Sequence, residues 1–395
     1  MRLSELIPAW ASWGSPSPSW SGEDVVLSRA CFDSRHVQPG DLFCALPGSQ
    51  QDGDAFLAEA IQSGAHAVMH AGAPQVTEVP ELLMDLQRTP AEAAGWAAHF
   101  LAGKPSEEML VIAVTGTNGK TTLVHLLEQA MTQCGIASAR AGTLGLSYRG
   151  EERATPNTTP SADLLHPWLA DVLAQGAKAV VLEASSHGLD QQRLAGLQVD
   201  LVGWTNLTQD HLDYHVSMTE YAKAKARIVY ALPSDGHAFL PFEQTLVQEV
   251  CRGATCGVTS WGMDSPDAEL RGTFSVVKNG GLQLLIEGKW GEAEISSPMV
   301  GKHNAANLLL AFGLMRASGV SAEETARALS ALQGAPGRLE QVAPESPWHL
   351  FVDYAHTPDA LSHAMDALRE VYPQSKLGVV FGAGGDRDQE KRPLM

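Results

Sequence analysis

The chain has 395 residues, of which 44% are hydrophobic and 18% are charged. This length exceeds what one hydrophobic core usually organises, so we expect two or three soluble globular domains. The formal net charge of −18 argues against broad binding to nucleic acids or anionic membranes, because both require clustered Lys and Arg.

The N-terminus and the cysteines indicate a cytoplasmic protein. Glu5 and Pro8 interrupt the place where a signal peptide needs an apolar core, and no apolar run reaches the roughly 20 residues of a membrane span. The five cysteines include no C-x-x-C pair. They are therefore expected to be free thiols rather than a disulfide framework or a zinc finger.

The N-terminal part is predicted to be a compact α/β region. A Pro/Ser/Trp-rich stretch over 16–21 is predicted to be a loop, and the region ends near Lys104. Residues 110–114 are then predicted to form a strand, followed by a glycine-rich turn and a helix with apolar residues at helical spacing. Apolar runs at 179–182 and 201–204, separated by helix-like stretches, predict repeated βα units and a mainly parallel sheet.

A second change of composition marks a predicted linker at 334–337. After it, 350–352 and 377–381 are predicted to be the first strands of another α/β domain. The sequence thus predicts an α/β protein with three domains, which cover residues 1–107, 108–335 and 336–395.

The strongest chemical signal is the sequence TGTNGKTT over 115–122, where the predicted strand meets the predicted helix. Small residues let backbone N–H groups face phosphate oxygens, Lys120 adds a positive charge, and Thr121 offers a hydroxyl to Mg²⁺. The first glycine of a standard P-loop would fall at Val114, so this loop is a compact variant. A tight turn without a ligand is the structural alternative. The candidate phosphate-binding residues are Gly116, Thr117, Asn118, Gly119, Lys120, Thr121 and Thr122.

The compact loop resembles the ATP loop of the Mur ligases and of the related folylpolyglutamate synthetases, and further motifs favour the Mur ligases. These motifs are DSR at 33–35, PGDLF at 39–43, NTTP at 157–160, EASSHGL at 183–189, DHLDYH at 210–215, DYAHTP at 353–358 and GGDRD at 384–388. Because they occur in the family's order through the whole chain, the sequence is similar to the Mur ligases that add the third residue of the cell-wall peptide.

This resemblance implies three domains, with a P-loop-like parallel sheet in the centre and a Rossmann-like C-terminal domain that is incomplete within residues 1–395. It implies an ATP- and Mg²⁺-dependent ligase that joins a free amino acid to UDP-N-acetylmuramoyl-L-alanyl-D-glutamate through an acyl phosphate. We expect diaminopimelate as the amino acid, with lysine as the alternative, and a monomer. We also expect no product from residues 1–395 alone.

The resemblance also implies roles for individual residues. The expected catalytic residues are Lys120, Lys225, His211 and Arg338. The resemblance implies two Mg²⁺ ions, the first on Thr121 and the second on Glu183 and His211, with Lys225 facing Mg²⁺ as a carbamate. Further contacts to the nucleotide are expected from Asn304, which is also a candidate helix N-cap, Asn307 and Asp353. The expected substrate contacts are Phe32, Ser34, Ser49, Gln50, Gln51, Asn157, Thr158, Thr159, Ser185, Gln191, Arg193 and, for the amino acid, Arg387.

Several of these residues have alternatives that the sequence leaves open. Glu183 also fits a solvated acid at a strand end, and Asp353 fits a cap between a strand and a helix. His211 and His215 have the spacing of a zinc site, although Leu212 stands where a zincin has glutamate. Two other functions also remain open, a folylpolyglutamate synthetase and a binding protein controlled by a nucleotide.

Overall fold

The computed structural model describes residues 1–12, 19–48, 52–75, 78–84, 89–277, 281–343, 345–355, 358–382, 393 and 395. Ser49, Gln50, Gln51 and Arg387 lie outside the described residues. No helix within the described ranges is long and apolar enough to cross a membrane. All five cysteines are free thiols, as predicted.

The described residues contain 18 strands in three sheets and 12 α-helices. The strands are β1 (Ser19–Ser21), β2 (Ala30–Cys31), β3 (Leu42–Cys44), β4 (Ala67–His70), β5 (Glu81–Leu83), β6 (Leu110–Thr115), β7 (Ser138–Gly142), β8 (Gly145–Tyr148), β9 (Glu151–Arg153), β10 (Ala179–Glu183), β11 (Leu201–Trp204), β12 (His237–Pro241), β13 (Gly257–Met263), β14 (Leu270–Val276), β15 (Leu282–Gly288), β16 (Ala293–Ser297), β17 (Glu340–Val342) and β18 (Leu350–Val352). The helices are α1 (Leu3–Ser12), α2 (Leu57–Gln62), α3 (Pro90–Leu101), α4 (Lys120–Gln133), α5 (Ala162–Ala174), α6 (Ser186–Asp190), α7 (Leu212–His215), α8 (Met218–Tyr230), α9 (Thr245–Val250), α10 (Lys302–Ala317), α11 (Ala322–Ser330) and α12 (Pro358–Val371).

The N-terminal sheet has the strand order β1-β5-β4-β3-β2. Strands β2 to β5 pair in parallel, and β1 pairs antiparallel with β5. Helices α1 and α3 contribute Leu3, Leu6 and Ala97 to its core. The prediction of a loop over 16–21 is wrong for 19–21, because pairing with a distant strand overrides the local composition.

The central sheet has the order β16-β15-β14-β13-β12-β11-β6-β10-β7-β8-β9. The strands from β14 to β7 in this order run parallel, and antiparallel strands complete both edges. The predicted parallel sheet is therefore confirmed. The predicted strands at 110–114, 179–182 and 201–204 lie in its centre as β6, β10 and β11.

Strand β6 is apolar from 110 to 114 because helices cover both faces of the sheet. Ile112 and Val114 pack with α4, α10 and α11 in one core, whereas Val111 and Ala113 pack with α5 and α8 in another. The helical spacing predicted for α4 is confirmed. Its apolar side chains in the first core include Leu123, Leu126, Leu127, Ala130 and Met131.

The predicted linker at 334–337 contains neither helix nor strand. It leads to β17 and β18, which pair antiparallel, and then to α12. The predicted strand at 350–352 is confirmed, but the one at 377–381 is wrong, since these residues form no strand and Val380 is fully exposed. A β-branched apolar run forms a strand only beside a hydrogen-bonding partner, and no described strand pairs with this one.

The N-terminal and central sheets are joined where α3 packs against α5 and the loop after α6. A side chain at Gly95 would overlap Ala195. Beside this contact the buried rings of His99 and His166 pack edge to face, with 5.1 Å between their centroids. His166 donates from Nε2 to the carbonyl oxygen of Ala195 at 3.0 Å. Burial and, to a smaller extent, the neighbouring His99 together lower the pKa of His166 to about 3.

We expect acid to destabilise this interface through His166. The imidazole has a pKa of 6.5 when unperturbed and about 3 in the fold. The unfolded chain therefore binds the proton first, and stability falls as the pH drops from 6.5 toward 3, by about 1.4 kcal/mol per pH unit. His166→Gln keeps a donor for the Ala195 carbonyl but does not titrate, so its urea midpoint should fall less than that of the native chain between neutral pH and about pH 5.

The matched control for this experiment is His66→Gln, which replaces an exposed histidine that donates from Nδ1 to the carbonyl oxygen of Val26. Its urea midpoint should follow the native pH dependence. An identical pH dependence in His166→Gln and the native chain would contradict the role given to His166.

Candidate nucleotide and substrate site

The candidate site lies at the carboxyl ends of β6, β10 and β11, in the middle of the central sheet. After β6 the chain crosses to β7 on one side, and after β10 it crosses to β11 on the other side. The strand order therefore reverses at β6, and loops at such a point leave a crevice where ligands bind in open α/β sheets. The loop after β6 is the predicted phosphate loop.

Two glycines of the phosphate loop have backbone angles that other residues rarely adopt. Gly116 has φ of 140° and Gly119 has φ of 88°. A Cβ atom at Gly116 would overlap the hydroxyl of Thr205, and one at Gly119 would lie 2.6 Å from Oδ1 of Asn307. The loop therefore requires glycine at both positions.

Residues after β11 hold the phosphate loop in place. The N–H of Thr117 donates to the carbonyl of Asn206 at 2.9 Å, and the N–H of Asn118 donates to Oδ1 of Asn206 at 2.9 Å. The Thr205 hydroxyl donates to the carbonyl of Asn118 at 2.6 Å. Sequence analysis missed Thr205 and Asn206. The sequence marks these two residues only by their position, because they directly follow a strand that is predicted for the same sheet.

Two lysines donate to the same carbonyl oxygen, that of Gly116. Lys120 Nζ lies 2.9 Å from it and 2.8 Å from the carbonyl of Thr117. Lys225 on α8 lies 2.6 Å from it, and this side chain is only 1% exposed. Burial lowers the pKa of Lys225 well below its usual value, and the charge of Lys120 lowers it further. Burial also lowers the pKa of Lys120.

The ring of Tyr221 lies below Lys225, with Nζ 4.5 Å from the ring centroid. Its hydroxyl is 3.2 Å from Oγ1 of Thr117, so Tyr221 connects α8 to the phosphate loop. Burial raises the pKa of Tyr221 to about 12, which keeps the phenol neutral. Sequence analysis did not select Tyr221, although its place one helical turn before Lys225 puts the two on one face.

Glu183 ends β10 and is buried beside the phosphate loop. Its carboxylate accepts from the Thr121 hydroxyl at 3.2 Å and from the Thr143 N–H at 2.8 Å. With an exposure of 1%, it is not the solvated strand-end acid that the sequence left open. Arg338 donates from Nη2 to Oγ1 of Thr121 at 3.2 Å, and its guanidinium lies 4.7 Å from the ring centroid of Tyr354. The structure thus brings together three predicted residues from distant segments.

His211 belongs to a cluster of aromatic rings that extends to Tyr221. It precedes α7 with φ of 52°, and its Nε2 is 3.5 Å from Oδ2 of Asp210. The ring of His187 packs against those of His211 and His215, with centroid distances of 4.7 and 5.5 Å. Among the described residues, no group of three or more His, Cys, Asp and Glu side chains is arranged to hold a metal ion.

The predicted sugar-peptide residues form a connected group beside Glu183. The Thr159 hydroxyl donates to the carbonyl of Glu183 at 2.8 Å and accepts from the N–H of Ser185 at 2.9 Å. Arg193 donates to the carbonyl of Thr159 at 3.1 Å and to the side-chain oxygen of Gln191 at 2.7 Å. The hydroxyl of Thr158 lies 3.2 Å from that of Thr143, and Asn157 is exposed on the same loop.

Two of the predicted substrate residues, Phe32 and Ser34, lie just after β2 in the N-terminal body, which is the sheet β1–β5 with its helices α1–α3. The central body is the large sheet β6–β16 with its helices. The backbone N–H of Phe32 donates to Oδ2 of Asp163 on α5 at 3.1 Å. Ser34 is buried, and its hydroxyl donates to Glu59 at 3.1 Å. These residues are therefore connected to the central body through α5.

The remaining nucleotide candidates are Asn304, Asn307 and Asp353. The prediction that Asn304 is an N-cap is wrong, because Gly301 occupies that position and Nδ2 of Asn304 donates to the carbonyl of Val300 at 2.9 Å. Asn307 donates to Oδ1 of Asn304 at 3.3 Å, and its own Oδ1 faces the phosphate loop. Asp353 accepts from the N–H of Leu339 at 2.8 Å, next to Arg338.

Three family models match the chain. The model for the Mur ligase family catalytic domain matches residues 30–101, the Mur ligase middle domain matches 114–315, and the Mur ligase glutamate ligase domain matches 337–395. The second of these covers the whole candidate phosphate-binding region and the strands around it.

Relatives and a solved structure agree with these matches. A UDP-N-acetylmuramoyl-L-alanyl-D-glutamate–2,6-diaminopimelate ligase from Chromobacterium violaceum is 36% identical over 380 residues, which are 94% of this chain and 76% of the relative. The ligase of the same name from Thermosynechococcus vestitus is 37% identical over 405 residues, which cover 100% of this chain and 79% of the relative.

A solved structure of a UDP-N-acetylmuramoyl-L-alanyl-D-glutamate–2,6-diaminopimelate ligase has a TM-score of 0.76 and 30% identity to this chain. The match covers 93% of this chain and 75% of that one. Together with the family models, these similarities establish the family. The chain belongs to the Mur ligases.

Proposed function

We propose that this protein is an ATP-dependent ligase that joins 2,6-diaminopimelate to UDP-N-acetylmuramoyl-L-alanyl-D-glutamate. The observation that carries the proposal is the convergence of Lys120, Lys225, Arg338 and Glu183 on one phosphate loop. The two relatives described above are both named as diaminopimelate ligases, which favours diaminopimelate over lysine. ADP is bound in a solved structure of a related Mur ligase from Thermotoga maritima, which supports ATP as the phosphate donor.

In the first step of the proposed reaction, the γ-carboxylate of the D-glutamyl residue attacks the γ-phosphorus of ATP. A new C–O–P linkage forms, the bond to the β-phosphate oxygen breaks, and ADP leaves. Lys120 belongs to the phosphate loop, and Arg338 donates to the hydroxyl of Thr121. The positive charges of both side chains are therefore close to the place where the reaction accumulates negative charge. The chain supplies position and charge, and no protein nucleophile is required.

In the second step, the amine of diaminopimelate attacks the acyl carbon. The C–N bond forms, inorganic phosphate leaves with the C–O bond electrons, and the amine loses a proton. Thr159, Ser185 and Arg193 form one hydrogen-bonded group beside Glu183, and Thr158 contacts Thr143, which also donates to Glu183. This group is positioned to hold the sugar-peptide next to the phosphate loop, and such positioning accounts for much of the rate of ligation reactions.

Mg²⁺ fits the donors at this place. The Thr121 hydroxyl and the Glu183 carboxylate are hard oxygen ligands 3.2 Å apart, and Mg²⁺ usually takes one or two protein oxygens together with phosphate. Thr121 and Glu183 would hold it, and His211 and Lys225 are the further ligands that we propose. When bound, Mg²⁺ neutralises charge on the transferred phosphoryl group.

Lys225 supports the proposal through its unusual environment. Burial lowers the pKa of Lys225, so this side chain loses its proton more readily than an exposed lysine does, and a neutral amine adds to carbon dioxide to give a carbamate and one proton. The product is an anionic oxygen ligand beside Lys120 and the phosphate loop. Carbamylation thereby replaces repulsion between two ammonium groups with attraction.

The direct test is an assay of the full-length protein with ATP, UDP-N-acetylmuramoyl-L-alanyl-D-glutamate and either diaminopimelate or lysine. We expect ADP, phosphate and the amide in equal amounts, and faster turnover with diaminopimelate. Turnover only with lysine would reassign the amino acid. ATP hydrolysis that is independent of the UDP-linked substrate, or ligation of glutamate to a folate, would refute the proposed function.

The first prediction concerns Lys225. Lys225→Ala should reduce amide formation at least about a hundredfold, because it removes the group proposed to face metal and phosphate. Binding of the UDP-linked substrate should change by no more than a few fold. Lys223→Ala, which removes an exposed lysine paired with Glu220 on the same helix, should retain native turnover. Native turnover in Lys225→Ala would remove this residue from the mechanism.

The second prediction concerns Lys120. Lys120→Ala should weaken ATP binding roughly ten- to a hundredfold, because a charge-assisted hydrogen bond to phosphate is lost. Calorimetry with ATP and with the UDP-linked substrate measures both affinities, and the second should stay near native. Equal affinities for ATP in the variant and the native chain would contradict the phosphate-loop assignment.

A further inference from the structure

Asp163 is the second residue of α5 and lies between the N-terminal and central bodies. Its Oδ2 accepts from the backbone N–H of Phe32 at 3.1 Å, across 131 residues of sequence. Its Oδ1 accepts from the hydroxyl of Ser161 at 2.6 Å, and Ser161 is the residue directly before α5. One carboxylate oxygen therefore contacts each body.

Both loops that Asp163 connects belong to the substrate site proposed above. Phe32 leads from β2 to Ser34, on the side expected to hold the uridine diphosphate. Ser161 lies two residues after Thr159, which is hydrogen-bonded to Ser185 and to the carbonyl of Glu183. The carboxylate thus links the loop expected to hold the nucleotide with the loop expected to hold the sugar-peptide.

The surroundings of Asp163 suit an ionised acceptor, although the side chain is largely covered. Burial raises its pKa, whereas the hydrogen bonds from Ser161 and Phe32 and the charge of Arg29 oppose this rise. Its place in the first turn of α5 also favours negative charge. Hydrogen bonds to an ionised acceptor are roughly twice as strong as those between neutral groups. Removal of the side chain would leave the partly buried N–H of Phe32 without this acceptor.

We propose that Asp163 is a positioning residue for the UDP-linked substrate, which fixes the Phe32–Ser34 loop relative to the Thr158–Thr159 loop. The inference rests on the proposed function, since it assigns the two loops to one ligand. A ligand that contacts both loops gains affinity from their fixed separation, because binding at one loop places the rest of the ligand against the other loop without a further cost in conformational entropy. A ligand that contacts only one loop gains no affinity from the link.

The test uses calorimetry on this chain to compare the affinity for a ligand that contacts both loops with the affinities for ligands that do not. The ligands are UDP-N-acetylmuramoyl-L-alanyl-D-glutamate, UDP alone and ATP, and the variants are Asp163→Ala and Asp163→Asn. We expect Asp163→Ala to bind the spanning ligand about tenfold more weakly and to bind UDP and ATP within about twofold of native. Asp163→Asn keeps a neutral acceptor for Phe32, so its loss should be smaller and should show the same selectivity for the spanning ligand.

The matched control is Asp200→Ala. Asp200 also accepts from a strand N–H, that of Val111, at 2.7 Å, and burial also raises its pKa. It precedes β11 and so lies at the end of the sheet opposite the site. This variant should lose thermal stability without selective loss of the spanning ligand.

The outcomes separate the inference from the function on which it rests. Native affinity for the spanning ligand in both Asp163 variants would overturn the inference, as would a uniform loss for all three ligands together with the stability loss of Asp200→Ala. If the native chain binds UDP-N-acetylmuramoyl-L-alanyl-D-glutamate no more tightly than UDP, the proposed substrate itself is wrong. If the native chain binds it more tightly and Asp163→Ala abolishes only that advantage, the inference holds.

Discussion

The position of β6 between β10 and β11 is the constraint on which the site depends. Parallel pairing places Val114 opposite Glu183 and Thr115 opposite Trp204, so the phosphate loop, Glu183 and Thr205 leave the sheet side by side. The side chains of β6 are buried on both faces, and a slip of one residue would exchange every side chain between the two cores. Packing far from the loop therefore maintains the alignment of the chemical groups.

The charge distribution concentrates basic side chains of an acidic chain at the proposed nucleotide site. Lys120, Lys225 and Arg338 lie around one loop, although the net charge of the chain is −18. Two of them share one carbonyl oxygen, where desolvation and mutual repulsion both disfavour protonation. An anion at this place relieves that repulsion, so the attraction is local and does not need a basic surface.

Local features could be predicted from the sequence, and features that depend on strand order could not. The strand, the turn and the helix around Lys120 follow from composition and apolar spacing, and Glu183 could be selected because it ends an apolar run. Thr143, Thr205 and Asn206 have no pattern of their own, since they reach the site only through the neighbours of their strands.

The errors have the same origin. The strand at 19–21 exists because β5 lies beside it, and the apolar run at 377–381 forms no strand because no described strand lies beside it. Asn304 has the side chain of an N-cap, but the helix begins three residues earlier at a glycine with positive φ, so the asparagine bonds back to Val300 instead. The resemblance to a family supplied what composition could not, namely the expectation that Glu183 and Arg338 belong to one nucleotide site.

The two carbonyl contacts of Lys120 preorganise its ammonium for a nucleotide. An ammonium group has three N–H donors, and the carbonyls of Gly116 and Thr117 accept from two of them. The third donor can therefore bind a phosphate oxygen while both carbonyl contacts stay in place. Lys225 donates to the same Gly116 carbonyl from another helix, so the placement of α8 helps to fix the direction in which Lys120 presents that third donor.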